Sequence, residues 1–269
     1  MTPALAFVAD CVPVVARPQF IRLQGTPDLE YYVLVPETMT ADAEPLVLIH
    51  GVSRNAAELV LRFSTLAQQA GVPLIAPLFR QESWGQYQQL FDRKKKLRVD
   101  EALDTILIDA KDRFGLNVST ISVFGFSGGG QFVHRYAILH PGRVRACVPV
   151  SAGWYTWPDL ELGWPLGLKD MPTPGWNPRA RDVPFHVIVG QRDTVTDDQL
   201  RHSPDIDQLQ GIDRVQRARN WSRALASAGW NRSGSFTVLP RTRHNFASAH
   251  RRGLTQTVFQ LLGYVREIP

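Results

Sequence analysis

From Pro45 onward, short runs rich in Val, Ile and Leu alternate with amphipathic stretches of helical length. The runs show no polar alternation, which is typical of strands buried on both faces of a parallel sheet. These runs are PLVLIHG (45–51), VPLIAPLF (72–79), TISVFGFS (120–127), VRACVPVSAG (144–153), FHVIVGQRD (185–193) and SFTVLP (235–240). The alternation predicts an α/β fold with a mostly parallel central sheet flanked by helices.

The stretches between the runs carry apolar residues three or four positions apart, as amphipathic helices do. AAELVLRFSTLAQQAG ends in Gly71 and RVDEALDTILIDAKDRFG ends in Gly115, and glycine commonly stops a helix. Further helix candidates are GGQFVHRYAILHPGR, DRVQRARNWSRALASAG and LTQTVFQLLGYV. Ahead of the alternation, PQFIRLQGTPDLEYYVLVP predicts two antiparallel strands joined by a turn at residues 25–28.

The composition is that of an ordinary soluble globular protein, with 44% hydrophobic and 20% charged residues in 269. No internal repeat and no second core is evident, so a single domain over residues 1–269 is predicted. The net charge of +5 comes from scattered arginines, and the densest basic run (93–96) is short. A nucleic-acid-binding protein would concentrate such charge on one face, so nucleic acid is not an expected partner. The oligomeric state stays open.

Targeting and redox signals in the sequence are weak. Cys11 and Cys147 offer no disulfide framework, and Cys147 is expected in the core. The apolar N-terminus has no Lys or Arg ahead of it and is interrupted by Asp10 and Pro13, which argues against a secretion signal. No apolar stretch approaches the roughly 20 residues of a membrane span. A cytoplasmic protein is therefore expected, with secretion as the less favoured alternative.

One interval, residues 154–183, breaks the alternation and is rich in Pro, Trp and Gly. A loop of about 30 residues without regular structure is uncommon in a compact domain and is often a lid or a binding segment. The interval is therefore predicted to be a lid-like insertion within the domain.

A candidate nucleophile stands where a predicted strand meets a predicted helix, in the sequence GFSGGG. Ser127 lies within Gly125-x-Ser127-x-Gly129, the spacing of a nucleophile elbow, in which glycines relieve clashes around a strained serine. A helix starting at Gly128 would direct free N–H groups toward charge developing on a substrate oxygen. The motif alone also fits a glycine-rich turn without chemistry.

A serine nucleophile needs a base and an orienting acid. Asp193 follows one buried run and His244 follows the last one, giving the chain order Ser, Asp, His. The alternatives are that Asp193 only begins a turn, that Asp197 or Asp198 caps the next helix, and that His250 is the base. His134 and His140 fall in or just after the helix that follows Ser127 and are expected to face solvent or pack locally.

The loop LIHGVSRN follows the first long buried run and is the fourth part of the predicted site. In this arrangement the backbone N–H groups of Val52 and Gly128 would form the oxyanion hole. His50 is expected to tie the loop to neighbouring backbone, and Gly51 permits close approach of the chain.

With these motifs in order, the chain from about Pro45 to its C-terminus resembles the α/β-hydrolase superfamily. His50-Gly51, GFSGGGQFVHRYAILHPGRV and GQRD resemble bacterial esterases of the feruloyl esterase and polyhydroxyalkanoate depolymerase type. The resemblance implies a serine hydrolase with no metal and no organic cofactor. It does not extend to a disulfide set or to the segment 154–183.

The predicted reaction is hydrolysis of a small-molecule carboxylic ester through an acyl-serine intermediate. Trp154 and Tyr155 follow a strand end and Trp84 follows another, so these three rings are predicted to line the substrate site. They would favour apolar or aromatic esters. The rings of segment 154–183 could equally form a small core of their own. An amidase or peptidase, an acyltransferase, and a non-catalytic binding protein remain the alternatives.

Overall fold

The computed structural model describes residues 16–265 except 26, 93, 173 and 197–199. Cys11, the rest of the N-terminal stretch on which the secretion argument depends, Asp197 and Asp198 lie outside the described residues. The single domain over 1–269 and the cytoplasmic location stay predictions. Among the described helices, none combines the length and apolar character needed to cross a bilayer.

The predicted strands are present. The described strands are β1 (Gln19–Leu23), β2 (Leu29–Leu34), β3 (Leu46–Ile49), β4 (Leu74–Pro77), β5 (Phe91–Asp92), β6 (Leu97–Arg98), β7 (Ile121–Phe126), β8 (Val144–Val150), β9 (His186–Gly190) and β10 (Ser235–Leu239), of which β5 and β6 were not predicted. Eight of them form one sheet in the order β1-β2-β4-β3-β7-β8-β9-β10. The six strands from β4 to β10 in this order are mutually parallel, and the β1–β2 hairpin joins β4 antiparallel. The predicted mostly parallel sheet with an antiparallel lead-in is confirmed.

The helices are α1 (Ala56–Ala70), α2 (Val99–Phe114), α3 (Gly128–Leu139), α4 (Pro204–Gln210), α5 (Arg214–Ser227), α6 (Phe246–Arg251) and α7 (Leu254–Leu261). α1 and α2 end at Gly71 and Gly115, both in the left-handed conformation that glycine adopts without strain. The short helices α4 and α6 and the small β5–β6 ribbon carry too weak a periodicity to be predicted. Lys94, Lys95 and Lys96 are exposed in the turn of that ribbon, as expected for a solvated run.

The core lies on the two faces of the sheet, because successive side chains of a strand point to opposite sides. In β3, Val47 and Ile49 face a cluster that includes α2, α3 and α5, whereas Leu46 and Leu48 face a cluster with α1 and α7. Cys147 is fully buried in the first cluster, which confirms it as a core residue. Burial raises the pKa of its thiol well above the ordinary value.

The described part of segment 154–183 contains little regular structure and packs on α3 and α5. The indole N–H of Trp221 in α5 donates a 2.7 Å hydrogen bond to the carbonyl of Thr156. Within the segment, the Thr156 hydroxyl donates to the carbonyl of Pro165 at 2.7 Å. Trp176 stacks on Trp230, beyond α5, with 5.2 Å between ring centroids. The tryptophans thus pack largely against the helices and against the segment itself.

Candidate active site

Ser127 lies at the sharp turn between β7 and α3. Its φ of 57° and ψ of −114° place a non-glycine residue in a strained conformation, which persists only where the surrounding structure enforces it. The Ser127 N–H donates to the carbonyl of Val150 at 2.8 Å, which ties the turn to the end of β8. The serine therefore has the strand-to-helix turn that the sequence predicts.

The glycines around Ser127 are explained by backbone contacts. A Cβ on Gly125 would lie 2.1 Å from the carbonyl oxygen of Gly129, and a Cβ on Gly129 would lie 2.0 Å from that of Ile49. Neither contact can be relieved, because the obstructing atom is backbone in both cases. The first turn of α3 thus lies directly against β7 and the end of β3.

A chain of two hydrogen bonds joins Ser127, His244 and Asp193. The His244 Nε2 lies 3.0 Å from the Ser127 Oγ, and the His244 Nδ1 lies 2.9 Å from an Asp193 carboxylate oxygen. Asp193 is fully buried, and the His244 side chain is 14% exposed. The ring of Phe126 stacks on the imidazole with 5.2 Å between centroids, which limits its rotation. The structure brings the predicted nucleophile, base and acid together in a single line.

The loop of Asp193 and the loop of His244 are joined by backbone hydrogen bonds, because they follow the adjacent parallel strands β9 and β10. The Arg192 N–H donates to the carbonyl of Thr242 at 2.8 Å, and the Gln191 N–H donates to that of Leu239 at 2.9 Å. A Cβ on Gly190 would lie 2.5 Å from the Thr242 carbonyl oxygen, so glycine permits this approach. The position of Asp193 relative to His244 is therefore set by backbone contacts as well as by their side chains.

The second carboxylate oxygen of Asp193 has no hydrogen-bond partner among the described residues. The guanidinium of Arg214, itself 1% exposed, lies 3.7 Å from that oxygen. A charged carboxylate without a nearby cation is costly to bury, and Arg214 supplies that cation. Sequence reasoning missed Arg214, since nothing in the local pattern of α5 distinguishes it from the other arginines of that helix.

The two predicted oxyanion donors are neighbours. A Cβ on Gly128 would lie 3.3 Å from a Val52 methyl group, and a Cβ on Gly51 would lie 3.5 Å from the Ser127 Cβ. Within the described part of the chain, neither the Val52 N–H nor the Gly128 N–H donates a hydrogen bond to another residue. Their role as an oxyanion hole stays a prediction.

His50 anchors this loop, as the sequence predicts. Its Nδ1 lies 2.8 Å from the carbonyl oxygen of Gly51, and its Nε2 accepts a 3.0 Å hydrogen bond from the Phe79 N–H. Burial lowers the pKa of His50 to about 4, so the ring is neutral near pH 7 and can serve both partners. Its role is to hold the backbone that carries Val52.

Two further side chains brace the same loop and were not identified as such from the sequence. The Tyr87 hydroxyl donates to the His50 carbonyl at 2.7 Å, and the Arg54 guanidinium lies 4.4 Å from the centre of the Tyr87 ring. Arg54 also donates to the carbonyl of Phe79 at 2.6 Å. These contacts join positions 25 to 37 residues apart, so local sequence patterns could not reveal them.

The alternative histidines lie elsewhere. His250 pairs with Thr255 at 3.1 Å, outside the Ser127–Asp193 line. His134 is buried, lies 2.8 Å from the Gly130 carbonyl and accepts from the Thr156 N–H at 2.9 Å, and burial lowers its pKa well below 6.5. It packs locally, as expected. Among the described residues, no three His, Cys, Asp or Glu side chains are grouped to hold a metal ion.

A cavity of about 430 Å³ opens beside Ser127 and His244. Its other lining residues include Val52, Phe126, Glu58 and Asn245, so its wall is partly polar.

The three rings predicted to bind substrate are not among the residues that line this cavity, and their role stays a prediction. Trp154 and Tyr155 are 4% and 0% exposed, and Tyr155 is stacked on Trp221 with 4.5 Å between ring centroids. Trp84 packs edge-on against Phe79 and borders a different cavity. Each ring packs against a buried side chain: Trp84 against Phe79, Tyr155 against Trp221 and Trp154 against Arg135.

Comparisons with known proteins give the fold. No model of a protein family matches the sequence, and no curated protein matches it as a relative. Among solved structures, the chain is similar to poly(aspartic acid) hydrolase-1 from Sphingomonas sp. KT-1, with a TM-score of 0.77 at 22% identity, covering 90% of this chain and 98% of that one. It is also similar to a poly(3-hydroxybutyrate) depolymerase from Bordetella parapertussis, with a TM-score of 0.78 at 24% identity, covering 94% and 92%. A ferulic acid esterase matches with a TM-score of 0.63 at 14% identity, covering 93% and 98%. At these identities the likeness establishes a shared fold.

Proposed function

We propose that this chain, which has the α/β-hydrolase fold, is a serine hydrolase that cleaves carboxylic esters through an acyl-serine intermediate. The observation that carries the proposal is the Ser127–His244–Asp193 line, with contacts of 3.0 and 2.9 Å at a strained serine. Strain of this kind is typical of functional sites. The names of two similar structures, a depolymerase of poly(3-hydroxybutyrate) and a ferulic acid esterase, agree with ester cleavage.

The first half of the reaction begins with the Nδ1–H of His244 donated to Asp193, which leaves Nε2 free to accept a proton. As the Ser127 Oγ attacks the ester carbonyl carbon, its proton passes to Nε2 and negative charge develops on the carbonyl oxygen. The N–H groups of Val52 and Gly128 would bind that oxygen. Each such donor typically contributes about 100- to 1,000-fold in rate.

In the second half, the protonated His244 donates to the departing alkoxide and the acyl group stays on Ser127. Water then gives a proton to Nε2 and attacks the acyl carbon. The bond from that carbon to the Ser127 Oγ breaks as Nε2 returns the proton to Oγ, which releases the acid and restores the serine. Asp193 stabilises the charged imidazole in both halves. This route needs no metal or organic cofactor.

The alternatives differ in what enters or leaves this same site. An amidase would protonate a leaving amine, and an acyltransferase would admit an alcohol ahead of water. A non-catalytic protein on this fold would be expected to lack one of the three aligned side chains, and all three are in place here. The predicted preference for apolar or aromatic esters has lost its support, since the rings that suggested it do not line the cavity at Ser127.

Labelling by a fluorophosphonate probe tests the proposal directly. The native chain is expected to be labelled, Ser127→Ala is not, and the matched control Ser233→Ala, at an exposed serine, is labelled as the native chain is. Turnover of paired aryl ester and anilide substrates then separates esterase from amidase. Equal labelling of native chain and Ser127→Ala, or hydrolysis by Ser127→Ala at the native rate, would remove the proposal.

A further inference from the structure

Arg135, in the third turn of α3, is a fully buried cation with an incomplete set of partners. Its Nε donates to the Thr156 hydroxyl at 3.1 Å, and its Nη1 donates to the carbonyl of Gln88 at 2.6 Å. Its Nη2 is buried and has no hydrogen-bond partner among the described residues. A buried donor without a partner is costly and calls for an explanation.

A second arginine, Arg201, lies near the same tryptophan ring as Arg135. The Arg135 guanidinium lies 4.1 Å from the centre of the Trp154 indole, and the Arg201 guanidinium lies 5.5 Å from it. Burial, and then the charge of Arg201, lower the pKa of Arg135 to about 9. In the described part of the chain, no carboxylate lies within ion-pair distance of either guanidinium. Arg201 is exposed, whereas Arg135 is fully buried.

Other buried arginines show what is missing here. Arg214 lies 3.7 Å from the Asp193 carboxylate, and Arg217 lies 2.5 Å from that of Asp207. Each of these cations therefore has an anion provided by the fold, which is the usual requirement for a buried charge. Arg135 has a tryptophan face and a second cation instead, an arrangement that favours an anion supplied by a ligand.

The position of Arg135 relates it to the nucleophile. Ser127, Gln131 and Arg135 are four residues apart along α3, so they lie on the same side of the helix. The rise of an α-helix puts Arg135 roughly 12 Å along the axis from Ser127. The Gln131 side chain, 8% exposed, stands between them and lies against Gly153, next to Trp154. A substrate acylating Ser127 could therefore extend toward the arginine pair.

We infer that Arg201 and Arg135, on the ring of Trp154, bind a carboxylate of the substrate, so that the preferred substrates are esters with a carboxylate roughly 10 Å from the reacting carbonyl. The inference rests on the proposed function and specifies its substrate class. Arg201 makes the contact, and the buried guanidinium of Arg135 adds its positive charge on the same ring. Guanidinium groups suit carboxylates because they donate two parallel hydrogen bonds.

The test uses aryl esters matched in all but one group. Nitrophenyl half-esters of dicarboxylic acids of increasing length are compared with esters of the same length that end in a carboxamide. A second series carries the carboxylate or carboxamide on the leaving phenol. Comparing the two series shows whether the arginines bind a carboxylate on the acyl side or on the leaving-group side of the ester. We expect kcat/KM to be about 10- to 100-fold higher for the carboxylate at the best length in one series, as a charged hydrogen bond gives. The preference should weaken with added salt.

Variants assign the preference to the arginines. Arg201→Gln should reduce the carboxylate-to-carboxamide ratio of kcat/KM at least fivefold, whereas the control Arg223→Gln, at an exposed arginine of α5, should keep the native ratio. Arg135→Gln is assayed with its thermal unfolding, because a buried substitution can impair folding; Arg201 is exposed and does not carry that risk. Equal turnover of the paired substrates in both series, or the same ratio in Arg201→Gln as in Arg223→Gln, would overturn the inference.

The outcomes separate this inference from the proposed function. Cleavage of the carboxamide esters with labelling of Ser127, but without a carboxylate preference, refutes the arginine site alone. Absence of cleavage and of labelling refutes the hydrolase itself. Titration of Ser127→Ala with the best half-ester by calorimetry measures binding without turnover, and Arg201→Gln in that background should bind at least fivefold more weakly.

Discussion

Two kinds of connection leave the same parallel sheet. One is the set of loops that carry Ser127, Asp193 and His244, and the other is the segment 154–183; they differ in what fixes their side chains. In the loops, backbone contacts at Gly125, Gly129 and Gly190 fix where polar side chains meet. In the segment, large rings are mostly covered by partners on α5 and beyond it, such as Trp221 and Trp230. The difference shows that a cluster of aromatic residues in a loop indicates burial before it indicates a binding pocket.

The largest expected effect is a loss of activity at Asp193, in the loops that carry the three aligned side chains. Asp193→Asn should lower kcat by about 10⁴-fold, because the amide cannot hold His244 in the tautomer that accepts the serine proton. Steady-state kinetics on a neutral aryl ester measure this, with Asp112→Asn on the exposed face of α2 as the control. A loss below tenfold would show that Asp193 does not orient the base.

Acid stability compares two buried histidines, one beside the loop at Ser127 and one beside the segment 154–183. His50 braces the loop of Val52, and His134 ties α3 to Thr156. Both have pKa values lowered by burial, so below about pH 6.5 the unfolded chain binds protons that the folded chain does not. Stability is therefore full above pH 6.5 and falls as the pH is lowered, and for His50 the loss reaches about 3 kcal/mol near pH 4.

Urea unfolding between pH 7.5 and 5 measures this slope. This pH range lies above the titration of the Asp100 carboxyl. Burial raises the pKa of that carboxyl, but hydrogen bonds from Arg98 and His140 outweigh burial and lower it to about 2. His50→Gln and His134→Gln should each flatten the dependence of the free energy of unfolding on pH. If only His134→Gln flattens this pH dependence, His50 takes up its proton in the folded chain. The loop of Val52 would then be less rigid than the surroundings of His134.

Sequence reasoning succeeded where the determining contacts are local or follow from chain order. The strands of the parallel sheet, the turn at Ser127, and the positions of Asp193 and His244 after β9 and β10 all belong to this class. It did not reveal the packing partners of Trp154 and Tyr155, because those partners lie far away in the sequence. Trp221 lies 66 residues from Tyr155 in the chain, and no periodicity of residues 154–183 specifies it.

A smaller effect tests the segment itself. Trp176→Ala removes the ring stacked on Trp230 and should lower the free energy of unfolding by about 2 kcal/mol, since the side chain is partly buried. The kcat for a neutral ester should stay within a factor of two. Leu160→Ala, at a side chain that is 49% exposed, is the control and should change stability by less than about 0.5 kcal/mol. A fall in kcat/KM without loss of stability would instead support the predicted lid.

The smallest effect is expected at Gly130, where packing and helix propensity oppose each other. Alanine would favour helix α3 by about 1 kcal/mol, but its Cβ would lie 3.0 Å from the Val150 carbonyl oxygen and 3.2 Å from the Ala152 Cβ. That carbonyl accepts the Ser127 N–H, so it cannot yield without moving the nucleophile.

Gly130→Ala should therefore destabilise the fold by up to about 1 kcal/mol and lower kcat a few-fold, since overpacking outweighs the gain in propensity. Gly142→Ala, where the nearest atom would be the flexible end of Arg179 at 3.7 Å, is the matched control and should leave kcat unchanged. Chemical unfolding and steady-state kinetics on both variants decide the sign. A more stable and fully active Gly130→Ala would mean that α3 can move away from β8. The position of Ser127 would then depend on the close backbone contacts at Gly125 and Gly129 and not on the contact at Gly130.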